Sequence, residues 1–549
     1  MLLTSLPADV LLHICGELFV SDILSLRQTC KLLESIGHER SVWNDALRIH
    51  VLCPGFPVPG LHGRPLASLS ASELEGLTLR ALRFRCNWTS PAPVCSRRVD
   101  IFPPTLSLSR ARNLLVQFLP GRENRWLLTI TLYDQQSAPR RYILQCWDVS
   151  VKEPMCVAVM TYWNLVGISV NSDPTNPAVI ALSWRGPSKV INTSLYRINF
   201  TLDDPESSFI WIRQFPSNRY SIALDDSRLI VSDEDNNVRI INADTGQVQC
   251  ELLVPLLFDD PTLRNEEHRC LAALIFEQYV LTFCKLWIHL YRIPSKDPSL
   301  VELSASDMKP PIPRLDPIAK YKWQWRIDSL VISPHRSHLN QRSAGSDFAP
   351  TFPSINILIR FDTWFPWPVN ILHHFFLPSN PAFVPAETYA STDVSQLPYL
   401  FSSSPTDGPS MANSIPSPVR LFTPSDMVLG QYGTALWIDA QTDPNAPAQA
   451  GDHGQRIVGK MLSCPRSKPE HASEGADVDR VSPGFVESRY ALDASQLAAA
   501  AADAQSPMMV FNLREQDEGW NRVALDEEEG RIAVGSVDGK VTLFEYIPE

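Results

Sequence analysis

Hydrophobic positions in the first fifty residues repeat at helical spacing: Leu6, Val10, Leu11, Ile14 and Leu18 lie on one stripe. That spacing predicts a helix with Pro7 in its first turn, where a missing N–H costs nothing, and Ser5 as its cap. A second helix is expected from Ser21-Asp22, carrying Ile23, Leu24, Leu26, Cys30 and Leu33. A third, with Val42 and Trp43, covers His38 to Leu47. Three short helices bury too little surface to stand alone, so something must cover their remaining apolar face.

A Pro/Gly stretch, CPGFPVPGLHGRPL, follows, and then SASELEGLTLRALRFRCNW, in which Leu74, Leu77, Leu79, Leu82 and Phe84 predict a connecting helix that holds the first unit against the rest. From residue 98 the period shortens to that of strands separated by turn residues. Two stretches repeat. Ala223-Leu224-Asp225 precedes Arg228-Leu229-Ile230-Val231 and then Val238, and Ala524-Leu525-Asp526 precedes Arg531-Ile532-Ala533-Val534 and then Val541. Each reads as strand, turn, strand, Asp/Asn/Gly hairpin, strand, and resembles a blade of a β-propeller. Trp147-Asp148 ends a strand as in WD repeats, to which the resemblance is diffuse. Further blades are expected around NLLVQFL with WLLTITLYD, VAVMTYWNLVGISV with PAVIALSW and LYRINF, CLAALIF with YVLTFCKLWIHLYRI, WQWRIDSLVIS with INILIRFDTW, and DMVLGQYGTALWIDA with RIVGKMLS. The total is about seven. The last repeat has only three strands, and Arg97 to Phe102 is the expected donor of the fourth.

Five intervening stretches, Ser295 to Pro317, Ser333 to Pro353, Leu377 to Pro418, Thr442 to Gln455 and Cys464 to Pro507, are polar and Pro-rich, and are expected to be disordered insertions. Deleting Leu377 to Pro418 should then spare folding. Ser404-Pro405 and Thr423-Pro424 are candidate phosphorylation sites.

The formal net charge of −12 argues against nucleic acid or an anionic membrane as the main partner. No apolar run is long enough to span a bilayer, and the N-terminal stretch lacks the basic start and cleavage pattern of a secretory signal. The scattered cysteines, 11 in all, suit reduced thiols in the cytoplasm or nucleus, and leave the sequons at Asn87, Asn192 and Asn199 as chance matches. No cofactor, nucleotide or nucleophile motif occurs, so no catalytic residue, cofactor or metal is expected. His373-His374 would point to opposite faces of a strand. Asp233-Glu234-Asp235 lacks the Gly and distal Glu of a calcium loop and reads as a hairpin turn. The aromatics of WQW and DTWFPWPVN read as blade packing.

The motif Leu6-Pro7-x-Asp9-Val10-Leu11-x-x-Ile14, then Leu18, Asp22-Ile23-Leu24-x-Leu26-Arg27-x-Thr29-Cys30-Lys31 and Val42-Trp43, resembles the F-box. One departure is Leu33, near where the family often carries Trp. The resemblance implies docking on a Skp-type adaptor, and through it on a cullin, in an SCF ubiquitin ligase, with Leu6, Pro7, Leu11, Ile14, Leu18 and Leu24 as the partly exposed binding residues. The expected fold is a small all-α F-box (1–50), a linker with a connecting helix (51–96), and an all-β propeller of about seven blades with long disordered insertions (97–549). The propeller would capture an unknown protein substrate. A propeller scaffold without a ubiquitin role and a propeller hydrolase are the alternatives.

Overall fold

A computed structural model describes residues 3–103, 110–134, 140–201, 204–233, 236–254, 268–293, 312–335, 352–361, 371–381, 383, 397–401, 408–417, 425–440, 454–462, 508–515 and 519–548. The N-terminal unit holds α1 (Ala8–Glu17), α2 (Val20–Arg27), α3 (Lys31–Gly37) and α4 (Arg40–Leu47), with a wider turn at Arg48–Leu52. The expected second helix is therefore two. Cys30 is extended (φ −160°, ψ 161°), and the Thr29 hydroxyl donates to the Leu26 carbonyl at 2.7 Å, closing α2 before α3 begins. Nor does Ser5 cap α1: Pro7 takes that position without a side-chain bond, and Ser5 lies in the short turn Leu3–Ser5. Trp43 anchors this core, fully buried, its indole N–H donating to the Gly37 carbonyl at 2.9 Å. Leu33 is buried beside it as a core residue.

The connecting helix, α5 (Ala71–Trp88), forms as expected. Its N-terminus is fixed reciprocally: the Ser70 hydroxyl accepts from the Glu73 N–H, and the Glu73 carboxylate accepts from the Ser70 N–H at 2.9 Å.

Seven antiparallel sheets follow as blades. Blade 1 comprises Arg110–Phe118, Trp126–Asp134, Arg141–Asp148 and Met155–Trp163; blade 2, Leu165–Val170, Ile180–Arg185, Ile191–Ile198 and Phe209–Pro216. Blade 3 runs Tyr220–Asp225, Arg228–Ser232, Val238–Asn242, Val248–Leu252; blade 4, Cys270–Phe276, Tyr279–Cys284, Trp287–Arg292, Ala319–Lys322. Blade 5 holds Ile327–Pro334, Ile355–Phe361, Ile371–Leu377 and Ser410–Pro416; blade 6, Met427–Leu429, Thr434–Ala440, Gln455–Met461 and Met508–Glu515. Blade 7 contributes Trp520–Asp526, Arg531–Ser536 and Val541–Glu545, and takes its outer strand from Arg97–Ile101. The first strand of each blade is innermost, and these strands face their neighbours around the ring. One expected blade was out of phase: VAVMTYW is the outer strand of blade 1, and LVGISV opens blade 2.

The closure is the expected one. Arg97 pairs with Glu545, Val99 with Leu543 and Ile101 with Val541, and the Thr542 hydroxyl donates to the Asp100 carboxylate at 2.8 Å. Arg97 and Glu545 also form an ion pair at 2.9 Å.

Parts of the expected insertions are structural. Ser410–Pro416 is the outer strand of blade 5, and Tyr399 is fully buried, its hydroxyl donating to the Pro353 carbonyl at 2.7 Å. Deleting Leu377 to Pro418 would therefore strip blade 5 of an outer strand and a core aromatic; the expectation that it spares folding is withdrawn. Arg314–Leu315 adds a parallel strand to blade 3, because the blade's edge N–H groups at Glu251 and Leu253 find acceptors in Pro313 and Leu315, at 2.9 and 2.8 Å. Ser333 and Pro334 end one strand, Phe352 is buried, and Gln455 begins another strand. Cys464 to Pro507, Ser404-Pro405 and Thr423-Pro424 lie outside the described residues.

Replacing Arg97–Ile101 by Gly/Ser residues of equal number should leave blade 7 with an open edge. Losing the buried Ile101 side chain alone costs about 2–5 kcal/mol. The expected outcome is a lower midpoint of chemical denaturation, with oligomers on size exclusion; an unchanged midpoint would refute the closure's importance.

Candidate functional site: an apolar docking strip and its mounting

The side chains of α1 and α2 divide between two surfaces. Leu11, Cys15, Val20 and Ile23 turn into the helical core. Leu6, Ile14, Leu18 and Leu24 are half-buried and Pro7 is exposed. The expectation of a partly exposed Leu11 is corrected: only 2% of it is accessible, because it shares the inner face of α1 with Cys15 and packs among the residues around Trp43. Val10 (39% exposed), Leu32 (45%) and Leu3 add apolar surface at this end. Leu32 was legible in principle, since adjacent leucines on a helix diverge by about 100° and cannot both face one core.

What mounts this unit on the ring is α5. Leu74, Leu77 and Ala81 belong to the helical core, whereas Phe84 and Trp88, further along the same helix, belong to the core of blades 6 and 7. Trp88 meets Phe511 and Tyr546 edge-on, with centroids 5.3 and 5.5 Å apart, and its indole N–H donates to the Thr434 hydroxyl at 3.0 Å. Gly530 (φ +57°) lies so close that a Cβ there would come within 2.4 Å of the Phe84 ring, so no larger residue fits.

Polar groups complete the joint. Glu529 accepts from the Gly60 N–H at 2.7 Å, and Glu527 accepts from the N–H groups of Tyr432 and Thr434 at 2.6 and 2.7 Å. Asn87 donates to the Tyr546 carbonyl at 2.7 Å. On the helical side, Arg27 reaches Glu75 of α5 at 2.6 Å and lies against the Trp43 ring. Burial pushes the Asp526 carboxyl up to about 8 and that of Glu527 up to about 7, offset for Asp526 by Arg531 at 3.9 Å and for Glu527 by its bonds to Thr434 and Tyr432.

The innermost strand of blade 7 runs from Trp520 to Asp526 toward this joint, so the opposite ends of the inner strands form a face away from the helical unit. On that far face stand Phe102, Trp163, Val166, Trp325 and Val537, all exposed, together with exposed Arg112, Arg140 and Lys189. The aromatics of WQW thus divide: Trp323 is buried and Trp325 (53%) is not. DTWFPWPVN falls outside the described residues after Phe361.

Other candidate chemistry is accounted for by packing. His374 is buried and bonded to the Asn356 amide oxygen at 3.0 Å, while His373 leans on Phe361. Asp233 accepts from the Asn237 N–H at 2.8 Å in a turn; Glu234 and Asp235 lie outside the described residues. Among the described residues no three His, Cys, Asp or Glu side chains are placed to hold a metal, and no helix is long and apolar enough to cross a membrane.

The chain is thus a two-part molecule, a helical unit with an uncovered apolar strip fixed to a seven-blade β-propeller. The helical unit is an F-box: residues 3–48 match the F-box-like family. Comparison with curated proteins gives no match.

Two measurements probe the mounting. Trp88→Ala should cost about 3–5 kcal/mol and separate one unfolding transition into two in differential scanning calorimetry. The pH dependence follows from the raised carboxyls. Their folded values exceed those of unfolded acids, about 4, so their protonated forms stabilise the fold. That stability is complete below about pH 4 and declines as pH rises through 7 and 8. The denaturation midpoint should fall between pH 5 and pH 8.5, and less steeply in Glu527→Gln.

Proposed function

We propose that this chain is a substrate-recognition adaptor of an SCF-type ubiquitin ligase. The F-box (1–50) docks a Skp-type adaptor and through it a cullin, the 51–96 segment links it to the ring, and the propeller (97–549) binds the protein to be ubiquitinated. The observation that carries this reading is the F-box match at residues 3–48 on a unit whose Leu6, Pro7, Ile14, Leu18 and Leu24 remain wholly or partly accessible. Exposed apolar surface of this kind marks an interface. Leu11 contributes by holding α1 in place from within. The chain acts without catalytic residues of its own, in the cytoplasm or nucleus. The WD-type character of the ring rests on Trp147-Asp148 at a strand end, where the Trp147 indole donates to the Thr129 hydroxyl at 3.1 Å.

Substrate capture falls on the far face, since α5 and the residues around Gly60 cover the near face at blades 6 and 7. Its exposed aromatic and aliphatic side chains, interspersed with arginine and lysine, suit a protein partner.

Changing Leu6 and Pro7 together to Ala should abolish pull-down of a Skp-type adaptor while leaving the propeller folded by circular dichroism; binding at the parent strength would overturn the reading. Trp325→Asp with Val537→Asp should keep the adaptor and lose the proteins marked by proximity labelling. Retention of both would move capture elsewhere.

A further inference from the structure

Blade 4 contains a thiol pair that neither the F-box nor the joint uses. Cys270 opens its innermost strand and Cys284 closes the next, and the two are direct partners in the antiparallel register. Register partners hold their Cα atoms about 4.5–5.5 Å apart, inside the span that a disulfide bridges. Both are free thiols, buried in the blade core. The ladder slips by one residue just after Cys270, between Cys270 and Ala272, which gives the first turn of this strand freedom to adjust.

The surroundings of Cys284 differ from those of the other buried thiols. Burial pushes Cys146, Cys156 and Cys250 up. Cys284 is held below the usual thiol range, first by the neighbouring Cys270 thiol and then by His289, whose Nδ1 stands 3.9 Å from its sulfur; Cys270, which donates to the Ala272 carbonyl at 3.5 Å, is pushed up in return. His268 stacks on His289 and on Trp287, with centroids 5.8 and 6.0 Å apart. Neither the His289 Nε2 nor the His268 Nδ1, both buried, has a hydrogen-bond partner among the described residues. One imidazole, that of His289, therefore stands beside the Cys284 sulfur, with His268 stacked behind it.

We propose that Cys284 and Cys270 form a peroxide-oxidisable pair, with Cys284 as the attacking sulfur, His289 as its proton acceptor and Cys270 as the resolving thiol. The Cys284 sulfur attacks one oxygen of hydrogen peroxide, the O–O bond breaks, and the product is a sulfenic acid plus one water. The Cys270 sulfur then attacks the Cys284 sulfur, the S–O bond breaks, the disulfide forms, and a second water leaves with the Cys270 proton. Two thiols lose two electrons and one peroxide becomes two waters. The bond staples the two inner strands of blade 4 at the ring end remote from α5, the end that carries Trp325 and Val537.

The test uses the full chain, treated with hydrogen peroxide, alkylated with N-ethylmaleimide, reduced, alkylated again with iodoacetamide, and analysed by peptide mass spectrometry. Cys270 and Cys284 should carry the second label together, and before the exposed Cys53 and Cys86 carry it. Without reduction, one cross-linked peptide joining residues 270 and 284 is expected. In Cys270→Ser, dimedone should trap a sulfenic acid on Cys284, and in Cys284→Ser no adduct should appear at Cys270. His289→Gln should slow the reaction about tenfold and change its pH profile. Absence of the cross-linked peptide from the parent chain, a measurement that needs no variant to fold, would overturn the proposal, as would oxidation of Cys53 or Cys86 alone.

Discussion

The arrangement of the whole molecule depends on one helix belonging to two hydrophobic cores. Leu74 and Leu77 are buried with Trp43, and Phe84 and Trp88 with Phe511 and Tyr546, along a single uninterrupted α5. A helix is stiff over this length, so burying both ends fixes the direction of the F-box relative to the ring in a way a loop of the same length would not. The carboxylates of Glu527 and Glu529 work on the same joint from the ring side. They satisfy backbone N–H groups that the docked linker and the turn at Tyr432 would otherwise bury unpaired.

The ring imposes a second constraint, and α5 answers it as well. Blade 7 needs a fourth strand, and the residues directly after α5 supply it. The Ser96 N–H and Arg97 side chain both bond to Glu545, so the turn that leaves α5 is tied to the last strand of the chain. Docking the helix and closing the ring are therefore continuous. The innermost strand of each blade is a sheet edge that packs against its neighbours around the ring, and the short strand Arg314–Leu315 covers part of the outer edge of blade 3.

Local pattern carried much of this into the sequence. The connecting helix α5, the two Ala-Leu-Asp repeats and the β-prone donor at Arg97 each depend on residues close along the chain, and each is found where the pattern put it. What the pattern missed depends on distant partners. Leu6 and Leu11 belong to one apolar motif, yet Leu6 lies ahead of α1 and stays half-buried while Leu11 turns into the core around Trp43. Ser410–Pro416 has little hydrophobic alternation of its own and becomes a strand by pairing with Ile371–Leu377. The break between α2 and α3 turns on one threonine hydroxyl, which competes with the helix for its own backbone.

The order of the parts along the chain has a consequence during synthesis. The F-box and α5 leave the ribosome first, but blade 7 lacks three of its four strands until residues 520–545 have been made. Residues 97–101 therefore wait, unpaired, for more than four hundred residues of translation until their partner strand Val541–Glu545 is made. A chain truncated after α5 but before Val541 keeps the helical unit and its apolar strip and has no closed ring. Such a product carries the apolar strip of the F-box without the ring that α5 fixes it to, so the two parts of the molecule are separable by truncation.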